Sequence, residues 1–176
     1  AVMWARGGDA GAASATEPPP GAPLPATANP KYTPGRAMTT EKLATTYNNY
    51  YEFGERKTIW QAAQALKTEP WTLRIEGMVK QPMTLDVGDL LKKVTLEERI
   101  YRHRCVERWA MTVPWTGFPL SKLINMVEPL GSAKYIVFES AQDKATMPGL
   151  RKAIYPWPYI DGLAMDEAMN ELSFLS

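Results

Sequence analysis

The sequence predicts an α+β fold of mixed sheets and short helices. Trp71, Leu73 and Ile75 alternate with Thr72, Arg74 and Glu76, the two-residue period of a half-buried strand. Leu120, Leu123, Ile124 and Val127 recur at helical spacing and give one apolar stripe. Tyr135-Ile136-Val137-Phe138 is a short continuous apolar run, consistent with a buried strand.

Residues 1–38 are rich in Ala, Pro and Gly, with seven prolines from Pro18 to Pro34. Proline removes backbone donors and biases its neighbours to extended forms. This stretch reads as an extended N-terminal arm, with plain disorder as the alternative, and 39–176 as the folded domain. Ile59, Ala62, Ala63 and Leu66 fit a short amphipathic helix. Asp86 is placed to cap a helix in which Val87, Leu90 and Leu91 share a face. Arg99 to Val106 reads as a strand of mixed character. Pro119 suits the first turn of the helix that carries the 120–127 stripe. After Ser140 the chain reads as loop, with Asp161-Gly162 as a turn signal and Asp166 as a cap for a final short element. Glu171 to Ser176 resembles the start of an apolar strand, so further chain is expected beyond it.

The bulk numbers narrow the function. The chain has 176 residues, near one ordinary domain, and 45% apolar residues, enough for a core. Lys+Arg is 20 against Asp+Glu 19, without the basic excess of a nucleic-acid binder. No run of about 18 apolar residues occurs, so no membrane-spanning helix is expected. There is one cysteine and one histidine, too few for an intrachain disulfide or a structural zinc site. The N-terminus lacks a basic region followed by an apolar stretch, which implies either a cytosolic protein or one whose signal has been removed.

The richest chemistry lies between Glu97 and Trp109. Arg99, Arg102, Arg104, Arg108 and His103 surround the lone thiol of Cys105. Cationic neighbours favour the thiolate, which binds soft redox metals or attacks electrophiles. The plainer alternative is a small buried hydrophobe, with the arginines solvated or paired to Glu97, Glu98 and Glu107. On a strand, Arg99, Tyr101, His103 and Cys105 share one face while Arg102 and Arg104 face the other. A second dense stretch, Tyr47-Asn48-Asn49-Tyr50-Tyr51-Glu52-Phe53-Gly54, can read a heterocycle edge or simply pin the arm with aromatics.

These segments, with Pro70-Trp71-Thr72-Leu73, Val113-Pro114-Trp115-Thr116-Gly117-Phe118-Pro119-Leu120, Met147-Pro148-Gly149 and Leu163 to Met169, resemble one family in order along residues 40–176. It is the catalytic subunit of bacterial periplasmic protein-methionine-sulfoxide reductases, within the sulfite-oxidase-fold molybdoenzymes. The resemblance implies a Mo-molybdopterin cofactor with Cys105 as the catalytic residue and molybdenum ligand. It implies cofactor contacts at Asn48, Tyr51 and Glu52, and at Ser140 where the family usually carries threonine. Further pterin contacts are expected beyond residue 176. Twin-arginine export, a periplasmic site, a membrane haem-binding electron donor, and oxidised proteins or small sulfoxides as substrates are implied in the same way. Which of Arg102, His103 and Arg104 acts at the metal or on pterin phosphate stays open. Three alternatives are a sibling enzyme that oxidises sulfite or another small oxyanion, a cofactor-free binding module, and a thiol enzyme with His103 as base.

Overall fold

The computed structural model describes residues 24–153 and 155–176. The arm expected over 1–38 lies outside the described residues up to residue 23. Its described part runs along the main sheet.

That sheet is built on one hairpin. Strand β4 (Glu97–Arg104) pairs antiparallel with β5 (Ala110–Pro119), in register from Glu97↔Gly117 to Arg104↔Ala110. Strand β1 (Thr27–Ala28) adds in parallel to β4, and β8 (Phe174–Leu175) adds antiparallel to the end of β5. The order is β1-β4-β5-β8. Gly117 permits the last pairing, because a Cβ there would run into the Leu175 carbonyl.

Arg99 fastens the base of this sheet. It is 4% exposed and ion-paired to Glu97. Its Nη1 donates to the Tyr101 hydroxyl at 2.7 Å and to the Glu171 carbonyl at 2.6 Å. Its guanidinium lies 4.3 Å from the ring centroid of Tyr32 and 4.5 Å from that of Phe174. One cation thus joins the arm, the hairpin and the C-terminal segment. This explains why an arginine can sit buried, since its charge is paired and its plane is stacked. Arg99 is structural, so it does not belong with the cations around the thiol.

Smaller units flank the sheet. Strands β2 (Thr72–Ile75) and β3 (Met83–Asp86) form an antiparallel pair. Asp86 caps α3 (Val87–Leu91) by accepting from the Asp89 N–H, and Leu90 is buried as its apolar spacing predicts. Helix α1 (Glu41–Thr46) precedes the 47–57 segment. Helix α2 spans only Trp60–Ala63, one turn of the stretch expected from Ile59 to Leu66. Ile59 is nevertheless buried, in a core with Phe53, Met147 and Leu150. Helix α4 (Leu120–Val127) buries Leu120, Ile124 and Val127, with Pro119 just before its first turn.

Three expectations fail beyond α4. Strand β6 (Tyr135–Glu139) forms, but Tyr135 is 74% and Val137 66% exposed, so this apolar run is not a buried strand. Only Ile136 turns inward, onto the core of Leu120, Ile124 and Ala168. Asp161-Gly162 is not a turn. It lies within β7 (Ile160–Ala164), which pairs antiparallel with β6. Asp166 does not cap α5 (Met165–Ala168). Its side chain accepts from Glu167 N–H inside the helix, while Glu167 reaches back to the Ala164 N–H at 2.8 Å.

Candidate active site

Cys105 lies just past the end of β4, not within it, which corrects the strand expected through Val106. It opens the five-residue turn 105–109 that joins β4 to β5. Its N–H donates to the Trp109 carbonyl at 3.0 Å, and its carbonyl accepts from the Arg108 N–H at 3.1 Å. Arg108 sits at φ 73°, in the left-handed region that side chains rarely occupy. The shared face expected for Arg99, Tyr101, His103 and Cys105 therefore holds only within the strand, where Arg99 and Tyr101 touch. The thiol is half-buried rather than sealed in apolar packing.

The 47–57 segment is anchored by Phe53, whose ring is in the core beside Tyr50. This places Glu52 at 4% exposed. Ser140, at the end of β6, donates to the Glu52 carboxylate at 2.6 Å. The Glu52 carbonyl accepts from Gly149 N–H at 2.7 Å, at the start of the one-turn helix Pro148–Arg151. Gly149 is required there. A Cβ would collide with the Tyr51 carbonyl and stand 2.7 Å from that of Glu52. Glu52 and Ser140, far apart in sequence, are brought together, and Tyr51 precedes Glu52 in the chain.

Lys57 ties this segment to the Cys105 turn. Its ammonium donates to both oxygens of Glu107, at 2.8 and 2.9 Å, and to Asn49 Oδ1 at 2.8 Å. It also stands over the rings of Tyr47 and Tyr51, 6.0 and 5.8 Å from their centroids. Its backbone carbonyl accepts from Asn48 N–H at 2.8 Å. Trp109 Nε1 donates to Glu107 at 3.1 Å, and its ring meets Tyr47 edge-on. The Lys57 hydrogen bond, then that of Trp109, holds the Glu107 carboxyl below its ordinary value. Glu107 in turn raises Lys57. A depressed carboxyl stabilises above its unfolded value and loses that contribution as pH falls through the folded one, so the bridge weakens in acid.

Sequence reasoning gives Lys57 no role, names Glu107 only as a partner for the arginines, and assigns Trp109 and Gly149 no contact. Lys57 carried no signal, because a lysine in Glu55-Arg56-Lys57 reads as solvated surface.

Asn48 stands apart in one respect. Its Nδ2 reaches the Thr45 carbonyl only at 3.4 Å, and its Oδ1 is buried with no hydrogen-bond partner. An unmet buried acceptor costs about 1–3 kcal/mol. Asn48→Leu should therefore leave the melting temperature of the cofactor-free chain unchanged or higher, while lowering cofactor retention. Equal retention in wild type and variant, read by metal analysis, would count against a ligand-binding Asn48.

Arg102 and Arg104 do not approach this cluster in hydrogen bonds. With His103 they line a separate cleft of about 310 Å3, together with Arg36, Thr39 and Met111. His103 lies 5.9 Å from the Trp109 ring, centroid to centroid. Among the described residues, no group of three His, Cys, Asp or Glu stands together. Cys105 is therefore not part of a three-donor cluster among the described residues.

Residues 60–176 match the family model for the oxidoreductase molybdopterin binding domain. The chain is also similar to the protein-methionine-sulfoxide reductase catalytic subunit MsrP of three bacteria. Identity is 49% over 154 residues for Burkholderia mallei, 87% of this chain and 46% of that protein. It is 50% over 154 residues for Ralstonia nicotianae, with the same coverage. It is 52% over 143 residues for Pseudomonas syringae pv. tomato, 80% of this chain and 42% of that protein. The chain thus spans a little under half the length of these relatives.

Proposed function

Because this chain belongs to the oxidoreductase molybdopterin binding domain family, we propose that it forms the Cys105 side of a site that reduces methionine sulfoxide. The cofactor is Mo-molybdopterin. When bound, it supplies a two-electron donor and an acceptor for the sulfoxide oxygen, so that sulfoxide, two electrons and two protons give a thioether and water.

In this reading Cys105 gives its thiolate to molybdenum. The turn suits that role, since it projects the thiol from a rigid ladder and leaves it accessible. Asn48, Tyr51, Glu52 and Ser140 hold the pterin. The observation that carries this assignment is the buried, partnerless Oδ1 of Asn48. It offers an acceptor to a donor that the chain does not provide, and pterin rings carry such donors. Ser140 keeps Glu52 in place through the hydroxyl that replaces threonine. Lys57 and Glu107 hold the thiol-bearing turn to the pterin-binding segment.

The electron donor in this reading is a membrane haem-binding subunit, and the protein works in the periplasm after folded export. The relatives are called catalytic subunits, which fits a separate donor. Among the described residues, no helix is long and apolar enough to cross a membrane.

The test uses the full-length protein from a host that makes molybdopterin. The expected result is about one molybdenum per chain and oxidation of a reduced dye that depends on methionine sulfoxide. Sulfite should turn over far more slowly. Faster sulfite turnover would transfer the site to small-oxyanion oxidation. Protein that takes up no molybdenum would be the binding module instead.

A further inference from the structure

We infer that the arginine cleft beside the Cys105 turn recognises acidic residues flanking the oxidised methionine of a protein substrate. This inference rests on the sulfoxide-reductase reading and adds a substrate preference to it.

The cleft is built from two parts of the chain. Arg102 and Arg104 come from β4, the two strand residues of one parity nearest the turn. Arg36 comes from the end of the arm and Thr39 from the residues just after it, held to β5 by Thr39 N–H to the Thr112 carbonyl at 2.8 Å and by Thr112 N–H to Thr39 Oγ1 at 3.0 Å. Three arginines therefore line one space of about 310 Å3.

None of the three is neutralised by another described residue. Elsewhere several cations meet a carboxylate: Lys31 with Glu171, Lys57 with Glu107, Lys80 with Glu128 and Arg99 with Glu97. Among the described residues, the side chains of Arg36, Arg102 and Arg104 make no ion pair or hydrogen bond. The formal net charge of the whole chain is only +1, so this is a local positive field and not the edge of a general one. Like charges held together without a counter-charge repel, and an anion removes that repulsion. The guanidinium fork matches a carboxylate in two-point contact.

The cleft is distinct from the pterin-side residues, since Asn48, Tyr51, Glu52 and Ser140 do not line it. It is near the thiol, because Arg104 is the residue before Cys105. Met111 and Ala110 add apolar wall for the aliphatic part of a side chain. At the lower end of the volume range for ligand sites, about 300–1,000 Å3, it is larger than a bare oxyanion needs. That favours an acidic side chain with adjoining backbone.

The experiment uses the full-length holoenzyme and two peptides carrying one methionine sulfoxide, flanked by Asp and Glu or by Asn and Gln. The acidic peptide is expected to have a kcat/KM about fivefold higher, carried by KM and reduced by salt. In Arg36→Glu that preference should disappear, while turnover of dimethyl sulfoxide stays within about twofold. Fluorescence anisotropy of the labelled acidic peptide gives a readout independent of turnover and should weaken in the same variant. Equal KM for the two peptides, or a preference unchanged in Arg36→Glu, overturns the inference. So does displacement of the peptide by micromolar inorganic phosphate, which would make a small oxyanion the occupant. If no sulfoxide is turned over but peptide binding still depends on Arg36, the reductase reading fails and the acidic-peptide site stands.

Discussion

Cys105→Ala is expected to abolish molybdenum binding and to cut sulfoxide turnover by about a thousandfold or more. That is roughly 4 kcal/mol of lost transition-state stabilisation. Cys105 supplies the protein's only proposed bond to the metal, and no other cysteine can substitute. The fold should hardly notice. The thiol sits half-buried in a turn, outside both apolar cores, so the melting transition should move by no more than about 0.5 kcal/mol. Cys105→Ser provides a second point: a hydroxyl keeps the size but is a harder, less ionised donor, so metal content should fall short of wild type. Wild-type molybdenum and turnover in Cys105→Ala would end the proposed role.

Gly149→Ala is expected to damage stability and site together. Its Cβ would meet the carbonyls of Tyr51 and Glu52, which are backbone and cannot swing aside. Relief requires moving the one-turn helix Pro148–Arg151 away from the 51–52 segment. That lengthens the bond from Gly149 N–H to the Glu52 carbonyl and disturbs Met147 and Leu150 in the core. The cost should be about 3 kcal/mol, from overpacking plus a strained buried hydrogen bond. Cofactor retention should fall with it, because Glu52 is held from both sides by Gly149 and Ser140. Thermal unfolding and molybdenum analysis of the same sample check both parts. A variant that melts like wild type would mean that the two segments are not rigidly apposed.

The elements legible in the sequence were those whose periodicity reflects burial. The stripe of α4, the alternation of β2 and the Asp86 cap of α3 all appear as expected. The failures share a cause. Tyr135 to Phe138 reads as buried on apolar content, yet in a two-stranded ribbon one face stays open, so Tyr135 and Val137 are exposed. Asp161-Gly162 has turn chemistry but is held extended by pairing with Phe138 and Val137. Tertiary pairing outweighed local preference in both. Within the site, the resemblance points to Asn48, Glu52 and Ser140, and the structure puts Glu52 and Ser140 in contact. The arginines near the thiol do not act as one group. Arg99 belongs to the base of the sheet, and Arg102 and Arg104 line a different cleft. Lys57 was invisible because its importance comes from Glu107, fifty residues away, and no local pattern encodes such a distance.

The Arg99 cluster bears on the timing of maturation. The hairpin that ends in the thiol is braced at its base by Tyr32 on one flank and by Glu171 and Phe174 on the other. Neither flank is local in sequence, and assembly from distant segments is slow because loop closure precedes its reward. Until residues near 174 have left the ribosome, the strand leading to Cys105 lacks half of its support. Insertion of a large prosthetic group should therefore be a late event, following synthesis of this whole region rather than accompanying it. Ribosome-stalled chains ending before Glu171 should accordingly fail to acquire metal from a loaded donor.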